Sequence, residues 1–487
     1  MKTTPFLLAT LVTATLATAQ VIDNTPTRVQ TPLDPGLVRI GTLQPKSVHE
    51  ISTSKWLLGC ETIDREYSDY HAWKTYLPAL GIRCIRLQGG WARTEKDKGI
   101  YDFAWLDSII DDALSRGLTI WLQTSYGNPT YTGGGGRTLA GGMPNSEEGL
   151  AAWDKWVDLM AKRYKGKVQE WEVWNEPELH GANNVEAIVD FSIRTAEIIK
   201  REIPDARITG LSLCYPKAAI VEAFVKALKE RNKEHLFTKI AYHAYTKNPD
   251  TVYPDVVKIK EIVQKYTPSI GLRQGESGVE SEYCVSGALS KYPWTEITQA
   301  KWNARRMLGD LGHGADSSVF TAADLDYRTT SFHNGLVRYG LLKTAGATEN
   351  FRVLKVKNAY YTVQNVVSVF NDSVTLNEQA AITATSSVPL AAFCYQDKAT
   401  KTPLCVFWNK GVVPSNTFQT VSATIAFPGA PLEEPVWVDV LSGAVFAIPK
   451  EKVTFSNNEI RFENIPAYDS PVFITDKKIL KLQPWLQ

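Results

Sequence analysis

The sequence predicts an α/β fold, a (β/α)8 barrel with a C-terminal all-β sandwich domain, and three observations carry that expectation. Short apolar runs alternate with amphipathic stretches eight times between residues 56 and 370. These runs lack regular polar alternation, so each strand is expected to be buried on both faces, as in a parallel sheet. Beyond residue 373 the texture changes to short Val/Thr/Ile/Phe runs separated by Pro, Gly, Asn and Asp, the pattern of an antiparallel domain.

Taken in order, the first segment reads as a processing signal. Lys2 supplies a positive start, residues 6–16 form a short apolar run, and Ala17-Thr18-Ala19 matches a small-residue cleavage site. Residues 1–19 are therefore expected to be removed and the protein secreted or periplasmic. That run is too short to span a bilayer, and no later stretch offers ~18 uninterrupted apolar residues. Residues 20–55, rich in Pro and Thr, form a leader able to lend a strand to the β-domain. Strands are expected at 56–60, 82–87, 118–124, 168–174, 207–213, 239–245, 270–274 and 317–322, with helices between them at 103–115, 147–164, 185–201, 218–231 and 296–311. Eight such units over roughly 300 residues fit a closed barrel spanning 56–370, enlarged by its loops. The sandwich takes 371–487.

Helix 147–164 illustrates the local logic. Asn145 is positioned to cap it, Glu148 sits near its start, and Leu150, Trp153, Val157, Met160 and Tyr164 recur at helical spacing to face a core. The four glycines at 133–136 predict a mobile loop; they lack the Lys-Ser/Thr of a phosphate-binding loop.

Composition excludes several functions. Lys and Arg (53) nearly balance Asp and Glu (52) without blocks of like charge, so no nucleic acid or anionic membrane partner is expected. The six cysteines have no paired metal-ligand spacing and the seven histidines form no ligand cluster, so neither metal nor other cofactor is predicted. Cys394 and Cys405 flank a polar turn, where a disulfide and two free thiols fit equally. The 14 Trp and 20 Tyr are generous, and aromatic faces suit the apolar faces of sugar rings.

The strongest chemical signal is Trp174-Asn175-Glu176-Pro177 at the end of the fourth strand, where a barrel carries its catalytic groups. With this motif the sequence resembles glycoside hydrolase clan A, retaining β-glycosidases built on this barrel. The resemblance implies that Glu176 is the acid/base and that Asn175 holds the substrate's 2-hydroxyl. It also implies a second glutamate, the nucleophile, about 100 residues on at the end of the seventh strand. Gly275-Glu276-Ser277 supplies Glu276, with Glu280 and Glu282 as competitors further into the loop. Two carboxyls are needed because one must donate a proton to the leaving oxygen while the other attacks the anomeric carbon.

Other positions follow from the same resemblance. Arg86 on the second strand matches the arginine that keeps the nucleophile ionised. His243 and Tyr245 match the ring-and-phenol pair beside it, and Trp91, Tyr126 and Tyr327 are candidates for a sugar subsite. Within the clan, Ser125–Pro129, Arg163–Val168 and Trp171–Pro177 resemble family 39 and family 5-like enzymes, as do 438–443 and 465–471 in the β-domain. There are departures: Gln88 stands where that family often has a sugar-touching His, Gly275-Glu276-Ser277 replaces a Thr-Glu-aromatic segment, and the eighth strand lacks a Trp. The expected function is retaining hydrolysis of β-glycosidic bonds in a poly- or oligosaccharide. An arabinofuranosidase or transglycosylase would use the same residues. A non-catalytic carbohydrate-binding barrel would be expected to have lost one carboxylate.

Overall fold

The computed structural model describes residues 29–181, 183–329 and 334–484; the expected signal, 1–19, and residues 20–28 of the leader lie outside them. Eight parallel strands close into a barrel: β1 (Trp56–Gly59), β2 (Cys84–Gln88), β3 (Thr119–Gln123), β4 (Glu170–Glu172), β5 (Arg207–Leu213), β6 (Lys239–Tyr242), β7 (Gly271–Gln274) and β8 (Ala315–Val319). Closure is made by β8 beside β1, with Ser317 next to Trp56. This is the barrel the apolar runs predict.

Several strand ends differ from expectation, and two of them have a clear physical reason. β4 stops at Glu172 rather than 174, because the next four residues leave the ladder and carry Asn175 and Glu176 over the barrel mouth. β8 begins two residues earlier than its apolar run. Its polar start is hidden by ion pairs, Asp316 Oδ2 lying 3.2 Å from both Arg273 Nη2 and Lys239 Nζ.

Helix Glu147–Tyr164 forms as expected, but Ser146 caps it, its hydroxyl accepting the Gly149 N–H at 2.9 Å; Asn145 lies one residue too early. Trp153, Trp156, Val157, Met160 and Tyr164 are buried, with Leu150 only partly so. The glycine run is not a free loop. The Asn128 N–H donates to Gly134 O at 2.9 Å, and a Cβ added to Gly136 would fall 2.2 Å from the Gly141 Cα. Here glycine permits a close backbone approach that no larger residue allows.

The β-domain is a sandwich of an eight-stranded and a four-stranded antiparallel sheet. Phe407, Trp437, Ile425 and Phe462 lie in the buried cluster formed by residues of both sheets. Strand Val38–Leu43, from the N-terminal leader, sits inside the larger sheet between Ala444–Ala447 and Leu482–Gln483. Cys394 and Cys405 are directly opposed on adjacent strands and both are buried free thiols. Among the described residues no helix is long and apolar enough to cross a membrane.

Barrel and sandwich are joined by buried polar contacts. Helix Asn358–Val369 packs on the barrel and reaches across, Thr362 Oγ1 donating to Leu441 O at 2.9 Å and Asn365 Nδ2 to Val440 O at 3.0 Å. Lys301, buried on helix Glu296–Gly312, donates to Asp469 Oδ1 (2.6 Å), Ser415 O (2.9 Å) and Thr417 O (2.6 Å). Removing one partner of a buried pair strands the other charge. Lys301→Met is therefore expected to destabilise the protein by about 3 kcal/mol, seen as a lowered thermal midpoint. An unchanged midpoint would mean the pair contributes nothing.

Candidate active site

The site is organised around one guanidinium. Arg86, on β2, is fully buried in the barrel. Its Nε and Nη2 form a fork on Glu172 of β4, at 2.7 and 2.8 Å, and Nη2 also donates to Asn175 Oδ1 at 2.8 Å. Its Nη1 is shared by Glu61 Oε1 and Glu276 Oε2, each at 2.8 Å. Three carboxylates from three parts of the chain thus meet on one cation. A bidentate fork is the geometry that arginine, and not lysine, provides.

Glu276 follows β7. Its second oxygen accepts the Tyr245 hydroxyl at 2.9 Å. Burial raises its carboxyl, but His243, Arg86 and the Tyr245 hydrogen bond outweigh burial and hold it below the ordinary carboxylate range. Glu176 lies in the opposite environment. It is 8 % exposed, and burial lifts its carboxyl above the ordinary value; the 2.8 Å contact with His243 Nδ1 opposes that lift and the Glu276 charge adds to it. Burial lowers His243, yet Glu276 and the bond to Glu176 raise it overall. The Glu176 backbone is left-handed (φ 46°, ψ 54°), its N–H tied to Ser212 O at 2.9 Å.

One atom each from Glu176, His243 and Glu276 lies within 4.8 Å of the others. The three residues follow β4, β6 and β7, so chain spacing alone carries no sign of their meeting, which the family resemblance implies. It is the one such group among the described residues with donors suited to a cation. His243 Nδ1 is paired with Glu176 Oε1, and both Glu276 oxygens are held by Arg86 and Tyr245.

A narrow cavity of about 120 Å³ opens on the pair, lined by Glu61, Thr62, Arg65, Tyr67, Gln88, Tyr126, Thr138, Leu139, Asn175, Glu176, Glu276, Phe320 and Tyr327. The packed glycine loop brings Thr138 and Leu139 to this wall. A larger groove, about 870 Å³, lies between helix Tyr253–Tyr266 and the sandwich and contains neither Glu176 nor Glu276.

Sequence-predicted residues converge here in part. Asn175, Gln88, Tyr126 and Tyr327 reach the cavity; Arg86, His243 and Tyr245 hold the carboxyls. Asn175 Nδ2 donates to Tyr126 Oη at 2.9 Å. Gln88 is turned away from a sugar-contacting role: its Oε1 accepts from the Thr62 N–H and Arg65, and its Nε2 donates to Gln123. Trp91, expected at a subsite, is instead fully buried, stacked on Tyr131 and Trp156, with Nε1 donating to Glu95 at 2.6 Å. Glu280 is buried away from the cavity, and Glu282 is bound by Arg338 and Lys343.

Sequence reading missed Glu61, Arg65, Tyr67, Thr138, Leu139, Phe320 and Glu172. Glu172 had a signal, a carboxylate flanked by Trp171 and Val173 in a strand expected to be buried on both faces, which requires a buried partner such as Arg86. Burial lifts the Glu61 carboxyl to about 7, with Arg86 opposing and Glu276 adding. The Gly275 departure also has a cause: a Cβ there would stand 3.2 Å from His243 Nε2.

The fold defined by barrel, mouth and sandwich is that of family 39 and family 30 glycoside hydrolases. A family 39 glycoside hydrolase from the gut symbiont Bacteroides cellulosilyticus WH2 matches with a TM-score of 0.60 at 15% identity, covering 88% of this chain and 81% of that one. A monomeric beta-xylosidase from Caulobacter crescentus CB15 matches at 0.55 and 15% identity over 90% and 97%. A GH30 endoxylanase from Clostridium papyrosolvens C71 matches at 0.54 and 11% identity over 90% and 98%. By sequence, the profile of glycoside hydrolase family 42, described as beta-galactosidase, matches residues 71–133. No curated protein matches the chain.

Proposed function

We propose that this protein is an exported retaining glycoside hydrolase that cleaves β-glycosidic bonds of a poly- or oligosaccharide, with Glu276 as nucleophile and Glu176 as acid/base. The observation that carries the reading is that two carboxyls in opposed electrostatic surroundings, with oxygens within 4.8 Å, face one cavity. Retaining pairs sit about 5 Å apart; inverting pairs need roughly 6.5 Å or more to admit a water between them.

The roles follow from the contacts. Glu276, ionised and oriented by Arg86 and Tyr245, attacks the anomeric carbon while Glu176 gives its proton to the departing oxygen. Esterification removes the Glu276 charge, so Glu176 is no longer raised by it and can accept a proton from water. Water then releases the sugar with its original configuration. His243, in contact with Glu176 and electrostatically coupled to Glu276, keeps a proton within reach of the acid. Asn175, held by Arg86 and Tyr126, is placed for the 2-hydroxyl.

Proton NMR of the first product anomer tests the reading: the β-anomer should appear first, and initial release of the α-anomer would sink it. The rate should be bell-shaped in pH. Activity falls on the acid side as Glu276, with its depressed value, takes up a proton, and on the alkaline side as Glu176, with its raised value, loses one. Tyr245→Phe removes a hydrogen bond that favours ionised Glu276. The acid limb should therefore move to higher pH, with kcat down about 10-fold for a lost hydrogen bond to a charge. An unmoved acid limb would separate Tyr245 from the nucleophile's ionisation.

A further inference from the structure

The cavity holds a cation that the retaining mechanism does not use. Arg65 follows β1, lines the cavity with both catalytic carboxyls, and keeps only 9% of its side chain exposed. Its position is fixed on several sides. The guanidinium lies over the Tyr126 ring at 4.8 Å and the Tyr67 ring at 5.5 Å. Nε donates to Asp64 Oδ1 at 3.2 Å and Nη2 donates to Gln88 Oε1. Among the described residues, Nη1 makes no hydrogen bond. Asp64 meets only one edge of the fork, through a single oxygen.

Gln88 gives this arrangement its purpose. Its amide oxygen faces Arg65 and the Thr62 N–H, while its amide nitrogen faces Gln123. It is a positioning residue for the guanidinium. A buried arginine held rigidly beside a cavity, with donors left over, suits a planar oxyanion, because the fork matches two oxygens at once. The neighbouring carboxyls do not forbid such a ligand. Burial raises the carboxyls of Glu176 and Glu61, favouring their neutral forms, and the Glu276 charge is tied to Arg86.

We propose that Arg65 determines specificity, selecting a sugar ring that carries an oxyanion substituent, a carboxylate or a sulfate, in the subsite beside Glu276. This rests on the glycosidase reading for its catalytic consequence, but binding can be tested without turnover. The wild-type protein would be assayed on 4-nitrophenyl β-D-glucuronide and β-D-galacturonide, the matching glucoside and galactoside, and a 6-sulfated glucoside. Calorimetric titration with free glucuronate, galacturonate, glucose 6-sulfate and glucose would run in parallel.

The expected result is a preference of about a hundredfold for an acidic substrate over its neutral counterpart, with the uronide and sulfate arms telling the two oxyanions apart. Arg65→Gln should reduce that ratio about a hundredfold, mainly through KM, as expected for a lost charge-assisted hydrogen bond. Arg65→Lys, which keeps the charge without the fork, should fall between. A wild-type preference for neutral glycosides overturns the inference and leaves the glycosidase reading standing. Binding of an acidic sugar without cleavage of any glycoside does the reverse. Should the variants fail to fold, the wild-type preference decides alone.

Discussion

Replacing Glu276 by alanine is expected to cut kcat on an activated aryl glycoside by about 10⁵-fold, the scale on which removing a covalent nucleophile acts. Glu276 is the carboxylate whose two oxygens are held by Arg86 and Tyr245, and its ionised form is favoured over the protonated one. No other group replaces it: Glu61 shares Arg86 Nη1 and lines the cavity, but burial lifts its carboxyl to about 7, and Glu280 and Glu282 do not line the cavity. Azide added to the alanine variant should restore turnover from the vacated face and give the α-glycosyl azide. Residual activity above about 1% of wild type would contradict the nucleophile assignment. A 2-fluoro glycosyl inactivator of the correct sugar offers a second readout, since peptide mapping should find the label on Glu276. Label on Glu280 or Glu282 would move the role elsewhere.

The second large effect belongs to Glu176 and depends on the leaving group. General acid catalysis contributes about 10² to 10⁴-fold, so Glu176→Ala should lose that much on natural linkages, whose alkoxide departs poorly without a proton. A dinitrophenyl leaving group needs little help, and its glycosylation step should be nearly spared. Water attack on the intermediate then becomes slow because the base is missing, so a burst of released phenol is expected, followed by a low steady rate. Azide should accelerate that slow phase and give the β-azide, opposite in configuration to the Glu276 variant's product. Equal losses on good and poor leaving groups would argue against an acid role. The raised carboxyl, in contact with His243, is the structural basis for this expectation.

Much of the barrel was legible because its strands are apolar runs and its helices carry stripes. Trp174-Asn175-Glu176-Pro177 stood out because its residues are contiguous and end a strand. Glu276 needed the count of strands, since Gly-Glu-Ser is weak by itself. What stayed hidden is proximity between distant segments. Glu61 and Arg65 sit on the loop after β1 and have no local pattern; only closure of β1 against β2 and β8 brings them to the cavity. Trp91 failed for a related reason. An aromatic just past a strand can face the mouth or turn under it, and the short helix Trp91–Thr94 turns this one under, against Trp156. The departures at Gln88 and Gly275 look like damage to a motif in the linear sequence. In three dimensions each has a partner, Arg65 for one and His243 for the other.

The strand Val38–Leu43 makes synthesis and completion of the sandwich two separate events. Its partner Ala444–Ala447 leaves the ribosome roughly 400 residues later, and non-local pairing of this kind slows folding. The nascent chain must therefore hold an early strand in reserve until translation is almost finished. A fragment cut at residue 371 would lack that strand altogether, leaving the Ala444–Ala447 edge open to the same segment of another molecule. The sandwich is thus a poor candidate for transplantation as a module, although its residues look contiguous on paper.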